Sequence, residues 1–226
     1  MSSLEVFILD TSAFTEARLR KVFGAESLED VVREMLSLIR EARLTLNSRF
    51  YMTPTTWSEL RRLLIGQNVN LDLIKELMTW ITIKAPDKLS MKIPASVFSE
   101  YISDIRRRFY KGLRVAEAAV KKAVKECAGE SSENCIGEAV KGLREKYREA
   151  TRKGLVDSVE DFDTILLAME MKAIVVTSDA GIRKLSEQLG IIVVDPEDFV
   201  YMLRRMIKGL RDSGRNVISG GETRGE

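Results

Sequence analysis

The sequence predicts an α/β fold, in which a parallel sheet is flanked by helices and a long α-helical hairpin is inserted into the domain. Short apolar runs, typical of buried parallel strands, alternate with helical segments towards both ends of the chain. Residues 96–154 are instead charged and helical in periodicity, without a strand signal. We therefore expect a discontinuous α/β domain formed by residues 1–95 and 155–208, with a hairpin inserted at residues 96–154. A flexible polar tail is expected at residues 209–226.

The first part of the chain predicts strands alternating with helices. The apolar run at residues 4–9 is typical of a buried central strand. Ser27 and Asp30 form a capping box ahead of an amphipathic helix over residues 27–44. A short strand at residues 49–52 and two further helices, at 54–66 and 71–80, complete this part.

The last part of the chain repeats this alternation. It predicts helices at 161–172, 181–189 and 196–208, and strands at 173–176 and 191–194. Strands that alternate with helices indicate a parallel sheet covered on both faces.

Composition restricts the chemistry. The chain has no histidine, which excludes Ser-His-Asp and Cys-His mechanisms. Its two cysteines, Cys127 and Cys135, are too few for a four-cysteine zinc site, and the sequence leaves open whether they are inert thiols or a disulfide. The net charge of only +2 means that a basic surface requires segregation of charge. No apolar run approaches the roughly 20 residues of a membrane span, so we expect a soluble cytoplasmic protein.

Acidic residues fall at the ends of predicted elements. Asp10 follows the first strand, Asp179 follows a later strand, and Asp157, Asp161 and Asp163 surround the start of a helix. Such a cluster repels itself unless a cation compensates its charge. Mg²⁺ and Mn²⁺ prefer oxygen ligands, and a bound ion generates a nucleophile from water without histidine. The pattern therefore predicts a site for Mg²⁺, with Mn²⁺ as a substitute, and phosphodiester hydrolysis.

Other interpretations of these acids stay open. Asp10 alone is equally compatible with capping the next helix. On a regular helix Asp163 lies nearly opposite Asp161, so the three acids cannot all be direct ligands from one continuous helix. If the helix starts near Asp161, the residues before it are free to turn inward and the conflict relaxes. We rank Asp10, Asp161 and Asp179 first, followed by Asp157 and Asp163, and then Glu59, because a glutamate in an early helical turn is usually solvated.

The predicted hairpin carries clustered basic residues on both arms. A solvated helix face, balanced by neighbouring glutamates, is the ordinary interpretation of such runs. We favour RNA phosphate contact, because both clusters are expected to converge where the hairpin joins the acidic segment. The candidates are Arg106, Arg107, Arg108, Lys111, Arg114, Arg144, Arg148, Arg152 and Lys153.

Three segments carry a resemblance to a known family. FILDTS near the start, DTILLAMEMKAIVVTSDAGI near the end and the IIVVD run that follows resemble the PIN-domain metallonucleases, in which separated acids bind Mg²⁺ or Mn²⁺ for RNA cleavage. This resemblance matches Asp10, Asp163 and Asp179 to the first, third and fourth acids of the family. Glu59 is the candidate for the second acid.

A narrower resemblance covers nearly the whole chain except the tail. The basic hairpin, the acids of VDSVEDFD and the overall size resemble the protein-only ribonuclease P family known as HARP, also called RNA ligase partner proteins. The resemblance implies removal of 5′ leaders from precursor tRNA, leaving a 5′-phosphate, and assembly through the hairpins into dimers and then a dodecamer. It also implies that the metal-binding acids are Asp10, Asp157, Asp161 and Asp179. Asp163 is expected to be a further catalytic residue.

Two alternatives remain beside ribonuclease P. One is a toxin-like PIN endoribonuclease that acts on other RNA, although such toxins are typically shorter and lack the hairpin. The other is a non-catalytic RNA-binding partner of an RNA ligase. The retained acids argue against the latter, because a binding module has no use for a cluster that repels phosphate.

Overall fold

The computed structural model describes residues 5–126, 133–152, 156 and 158–219, with the backbone alone at 133, 134, 152 and 213–219. Asp157, Lys153 and Cys127 therefore lie outside the described residues. The chain forms two compact units. The first comprises Met1–Met91 and Ser158–Glu226, and the second comprises Lys92–Asp157.

The first unit is built on a five-stranded sheet in which every neighbouring pair is parallel. The order is β3-β2-β1-β4-β5. The strands are β1 (Val6–Leu9), β2 (Arg49–Met52), β3 (Thr82–Ile83), β4 (Ile174–Val176) and β5 (Val193–Val194). The predicted α/β fold with a parallel sheet is confirmed.

Helices account for most of the remaining described residues. In chain order they are α1 (Ser12–Thr15), α2 (Arg18–Phe23), α3 (Leu28–Leu46), α4 (Pro54–Gly66), α5 (Leu71–Trp80), α6 (Ala95–Glu126), α7 (Glu133–Arg152), α8 (Val159–Met171), α9 (Ala180–Gln188) and α10 (Pro196–Ser219). The capping box predicted at the start of α3 is present, since Ser27 accepts from the Asp30 N–H and the Asp30 carboxylate accepts from the Ser27 N–H. No helix of the described part is long and apolar enough to span a membrane.

The structure differs from the sequence prediction at two short helices and at one helix end. The short helices α1 and α2 were not predicted, because helices of one or two turns lack a readable periodicity. Helix α10 continues to Ser219, so the tail predicted from Gly209 begins too early. A single glycine inside a helix costs only about 1 kcal/mol relative to alanine, and no proline follows to stop the helix.

The core of the first unit surrounds the central strand. Phe7 on β1 stacks on Phe50 of β2 with ring centroids 5.4 Å apart, and the edge of Phe199 from α10 meets Phe7 at 5.3 Å. All three side chains are completely buried. Each such aromatic side chain removes a large apolar area from water, which fixes α10 and the sheet as one layered structure.

The strand order creates a natural binding edge. The chain proceeds outward from β1 to β2 and β3 on one side, and to β4 and β5 on the other. Ligands of open parallel sheets bind where the order reverses, outside the carboxyl ends of the two central strands. Leu9 and Val176 are paired in register at these ends of β1 and β4, so Asp10 and Thr177 leave the sheet side by side.

The second unit consists mainly of α6 and α7, packed as an antiparallel hairpin. Gly112 of α6 lies so close to α7 that an added Cβ would be 2.7 Å from the Tyr147 ring. The Arg108 guanidinium donates to the Thr151 carbonyl at 3.3 Å, and the Tyr101 hydroxyl donates to the Val156 carbonyl at 3.0 Å. Cys135 is disulfide-bonded.

Candidate metal and catalytic site

Asp10 is held at the carboxyl end of β1 by two hydroxyl groups. Its Oδ2 accepts a hydrogen bond from Ser12 Oγ at 2.7 Å and another from Thr177 Oγ1 at 2.8 Å. Ser12 Oγ in turn accepts from the Ser178 N–H at 3.0 Å. These bonds join the segment after β1 to the segment after β4, and they fix the orientation of the Asp10 carboxylate.

Asp179 caps α9 and belongs to the same network. Its Oδ1 accepts from the N–H groups of Gly181 and Ile182 at 2.7 and 2.8 Å. Its own N–H donates to Thr177 Oγ1 at 3.0 Å. The Thr177 hydroxyl, completely buried, therefore donates to Asp10 and accepts from Asp179. Asp10 is not the cap of the next helix, because the N-cap residue of α1 is Thr11, without a side-chain cap hydrogen bond.

Glu59 lies at the same edge of the sheet. It is on α4, and its Oε2 accepts a hydrogen bond from Thr11 Oγ1 at 3.0 Å. Thr11 immediately follows Asp10, so the contact brings a third carboxylate towards the network. The sequence ranked Glu59 last, because a glutamate in an early helical turn is usually solvated. Helical periodicity gives no signal for its contact with Thr11.

The acids at the start of α8 occupy different environments. Ser158 caps this helix by accepting from the Asp161 N–H at 3.0 Å. Asp163 is buried, whereas Asp161 is half-buried, as expected for residues roughly 200° apart around a helix. The Lys88 ammonium lies 2.6 Å from Asp163 Oδ1, a contact that the sequence did not predict.

The carboxylates fit a hard divalent cation in their chemistry. Asp10, Asp179 and Glu59 each use a single oxygen for protein hydrogen bonds, and no described residue donates to the second oxygen of any of them. Mg²⁺ and Mn²⁺ bind such oxygens together with water. Among the described residues no three acids form a group that could hold a metal ion. Asp157, which is one of the predicted ligands, lies outside them.

Further charged residues surround the Thr177–Asp179 turn. Arg183 donates to the Thr177 carbonyl at 3.3 Å and pairs with Asp195 at 2.9 Å. Burial raises the pKa of Glu16, but hydrogen bonds from Ser178 and Arg18 outweigh burial and leave this pKa below its ordinary value. Glu16 therefore stays ionised beside the turn. The sequence did not suggest Glu16, Lys88 or Arg183.

The basic residues of the hairpin differ in accessibility. Arg107 forms an ion pair with the buried Asp104, and Arg108 is half-buried against α7. The side chain of Arg152 and all of Lys153 lie outside the described residues. Of the residues predicted to contact RNA, those exposed in the described part are Arg106, Arg107, Lys111, Arg114, Arg144 and Arg148. Their contact with RNA stays a prediction.

The family of PINc domain ribonucleases matches residues 6–208. The chain belongs to this family. A relative from Hyperthermus butylicus is 39% identical over 93% of this chain and 92% of its own length. Relatives from Ignicoccus hospitalis and Aeropyrum pernix are 42% and 41% identical, over 92% of this chain and over 98% and 95% of their own lengths. All three carry the name RNA-free ribonuclease P.

Membership of the PINc domain ribonucleases confirms the resemblance inferred from FILDTS and DTILLAMEMKAIVVTSDAGI. It also confirms that the chain is a nuclease of the PIN fold. PIN nuclease domains generally depend on divalent metal ions. The network of Asp10, Thr177 and Asp179 lies within the matched range, at the sheet edge where an α/β fold binds its ligands.

Proposed function

We propose that the protein is a metal-dependent RNA-free ribonuclease P. It hydrolyses one phosphodiester bond of precursor tRNA, removes the 5′ leader and leaves a 5′-phosphate on the mature tRNA. The observation that carries this proposal is the Thr177 hydroxyl, which joins Asp10 to Asp179 by hydrogen bonds. This contact lies where the strand order of the PINc ribonuclease fold reverses. The relatives named RNA-free ribonuclease P support the substrate, since they match over nearly their full lengths.

Asp10, Asp157, Asp161 and Asp179 are the proposed ligands of Mg²⁺, with Mn²⁺ as a substitute. Such an ion supplies a water nucleophile and neutralises charge on the phosphate, so histidine is not required. Ser12 and Thr177 orient Asp10 by donating to Oδ2, which leaves Oδ1 for the ion. The backbone N–H groups at the start of α9 orient Asp179 in the same way. Asp163 is the proposed additional catalytic acid.

The hairpin is proposed to bind tRNA and to mediate self-association. Its exposed arginines and lysines suit the phosphate backbone, whose neutralisation provides most sequence-independent affinity. Towards the far end of α6 and the start of α7, an apolar groove of about 450 Å³ is lined by residues such as Val120, Val124, Ile136 and Val140. Exposed apolar surface of this kind favours association between copies of the chain. We propose dimers that assemble further into a dodecamer.

The decisive experiment is cleavage of a precursor tRNA that carries a labelled 5′ leader, in the presence of Mg²⁺. We expect release of the intact leader and a mature tRNA with a 5′-phosphate. The Asp10→Asn and Asp179→Asn variants should lose at least about 100-fold in rate, because each loses charge at the ion. Asp72→Asn, which alters an exposed acid on α5, serves as the control.

Failure of the parent protein to release the leader, or full activity in both site variants, would contradict ribonuclease P activity. Cleavage within mature tRNA or mRNA instead of at the leader junction would identify a toxin-like ribonuclease. Tight RNA binding without any cleavage and without uptake of Mn²⁺ would identify a non-catalytic RNA-binding partner.

A further inference from the structure

Two lysines connect the segment after β3 to one face of α8. Lys84 Nζ lies 2.6 Å from Glu170 Oε1, and Lys88 Nζ lies 2.6 Å from Asp163 Oδ1. Asp163 and Glu170 are two helical turns apart and therefore lie on the same side of α8. Both ion pairs join a lysine to a carboxylate at the same nitrogen–oxygen distance, but only the pair of Lys88 involves a candidate site acid.

The two pairs differ in their surroundings. The Lys84 ammonium donates a hydrogen bond to Glu170, whose other oxygen accepts from the Asp87 N–H at 2.9 Å, so this pair anchors the segment. The Asp163 side chain is only 12% exposed, while that of Lys88 is 49% exposed. Although Lys88 is close, Asp163 Oδ1 has no hydrogen bond with acceptable geometry in the described part. The contact is therefore a charge pairing without a directional bond.

A buried carboxylate requires a nearby positive charge, because burial disfavours its ionised form. Lys88 supplies that charge to Asp163. A lysine stem is long and flexible, and the Lys88 side chain is half-exposed, so its ammonium is free to move into solvent when another cation arrives. In the proposed function Asp163 acts together with the metal-binding acids, so a divalent ion held by them would compete with Lys88 for Asp163.

We propose that Lys88 and the divalent ion are alternative counter-cations of Asp163, so that Lys88 neutralises this acid only until the ion binds. The inference rests on the proposed metal-dependent function. Since two cations that compete for one carboxylate weaken each other's binding, Lys88 lowers the affinity of the site for the ion. Lys88 is thus a positioning residue that sets the occupancy of the metal site.

The test is calorimetric titration of the full chain with Mn²⁺ alone. The Lys88→Met variant should bind Mn²⁺ about five- to tenfold more tightly than the parent, the lower part of the usual range of coupling between sites. Lys84→Met is the matched control, because it removes an equivalent ion pair from the same face of α8. Its Mn²⁺ affinity should stay within about twofold of the parent value.

A double-mutant cycle identifies the carboxylate involved. In an Asp163→Asn background, Lys88→Met should produce no further gain in Mn²⁺ affinity, because its partner charge is already absent. Three results would overturn the proposal: no gain in Lys88→Met beyond that of Lys84→Met, an undiminished gain in the Asp163→Asn background, or no Mn²⁺ binding by the parent protein. Far-UV circular dichroism at each titration temperature verifies that every variant is folded.

The titration contains no RNA, which separates this inference from the proposed substrate. If Lys88→Met shows the tighter Mn²⁺ binding but precursor tRNA is not cleaved, the competition stands and ribonuclease P activity is rejected. If precursor tRNA is cleaved but the Lys88 and Lys84 variants bind Mn²⁺ equally, the activity stands and the competition is rejected.

Discussion

Thr177 illustrates how a single buried hydroxyl organises charged residues that are far apart in the chain. It donates to Asp10 Oδ2 and accepts from the Asp179 N–H, so one oxygen atom fixes the positions of both residues. Residues that orient metal ligands in this way typically contribute 10- to 100-fold in metal affinity or activity. The sequence showed the segment Thr177–Ser178 beside Asp179, but only the pairing of β1 with β4 brings Asp10 to it.

Thr177→Val should reduce the rate of precursor tRNA cleavage about 10- to 100-fold, because valine keeps the volume of the side chain and removes both hydrogen bonds. Steady-state kinetics at several Mg²⁺ concentrations measure the loss, and excess Mg²⁺ should restore part of it. Ser186→Ala, which removes another completely buried hydroxyl from α9, is the control and should retain activity. An unchanged rate in Thr177→Val would contradict the orienting role.

Glu170 gives a prediction about pH. The Lys84 ammonium and the Asp87 N–H lower the pKa of Glu170 below its ordinary value of 4.5. A lowered folded-state pKa gives stability that is complete above the unfolded-state pKa and is lost as pH falls through the folded-state value. The free energy of unfolding should therefore differ most between the parent and Glu170→Gln above pH 4.5, and the difference should shrink as the pH falls below 4.5. Urea unfolding across this range measures it, and a constant difference would contradict the assignment.

At the scale of elements, helix caps and strand ends determine where the acids lie. The start of α8 is fixed by Ser158, and the start of α9 by Asp179 itself. A carboxylate near a helix N-terminus also interacts favourably with the helix dipole. The same features that begin these helices therefore direct the candidate metal-binding oxygens towards the edge where β1 and β4 end.

The hairpin depends on a close approach of its two helices. A Cβ at Gly112 would lie 2.7 Å from Tyr147 Cε2 and 3.0 Å from Thr151 Cγ2, so Gly112→Ala should separate α6 from α7. We expect a loss of roughly 1–3 kcal/mol in the free energy of unfolding, as for overpacked cores. Gly137→Ala on α7 is the matched control: its Cβ meets nothing within 4 Å, and it should stabilise the helix by roughly 0.5–1 kcal/mol.

Urea unfolding followed by circular dichroism at 222 nm measures both variants of this pair. The two changes in the free energy of unfolding should have opposite signs. This difference separates the packing effect at Gly112 from the general helix propensity of alanine. A gain of stability in both variants would show that α6 and α7 adapt to the added methyl group.

At the scale of the whole molecule, the charged residues are distributed unequally between the two units. Charge is nearly balanced overall, with a net charge of +2, yet basic residues are concentrated on the hairpin while the candidate metal-site acids belong mainly to the sheet unit. Phosphate binding is electrostatic and sensitive to salt, whereas the proposed metal-dependent cleavage relies on the acids. Substitutions in the two units should therefore change different kinetic constants.

Neutralising four exposed basic residues of the hairpin should raise KM for precursor tRNA at least about tenfold and leave kcat within about twofold, because the lost contacts bind phosphate without touching the reacting bond. The salt dependence of binding should also become shallower. Steady-state kinetics at several salt concentrations measure both effects. The variant changes Arg106, Lys111, Arg144 and Arg148 to glutamine.

The control removes an equal number of exposed positive charges from the sheet unit. It changes Lys21, Arg62, Lys75 and Arg205 to glutamine. Net charge falls equally in both variants, so the control separates local contact from long-range attraction. Equal rises in KM would contradict a specific role for the hairpin.

The sequence by itself determined the parallel α/β fold, most helix and strand positions, the family, and the positions of Asp10 and Asp179 after strands. These features depend on local periodicity, on capping residues and on which residues follow buried strands. Local rules also predicted that Asp161 and Asp163 lie in different environments, because the helical angle between them is independent of the rest of the chain.

Only the tertiary structure decided which distant side chains meet. The contacts of Glu59 with Thr11, of Thr177 with Asp10, and of Lys88 with Asp163 join residues on separate elements. No local pattern encodes such pairs, because they depend on strand order and on how loops cross the edge of the sheet. The expected chemistry therefore follows from residue types, whereas the hydrogen bonds and counter-charges around the acids required the packed fold.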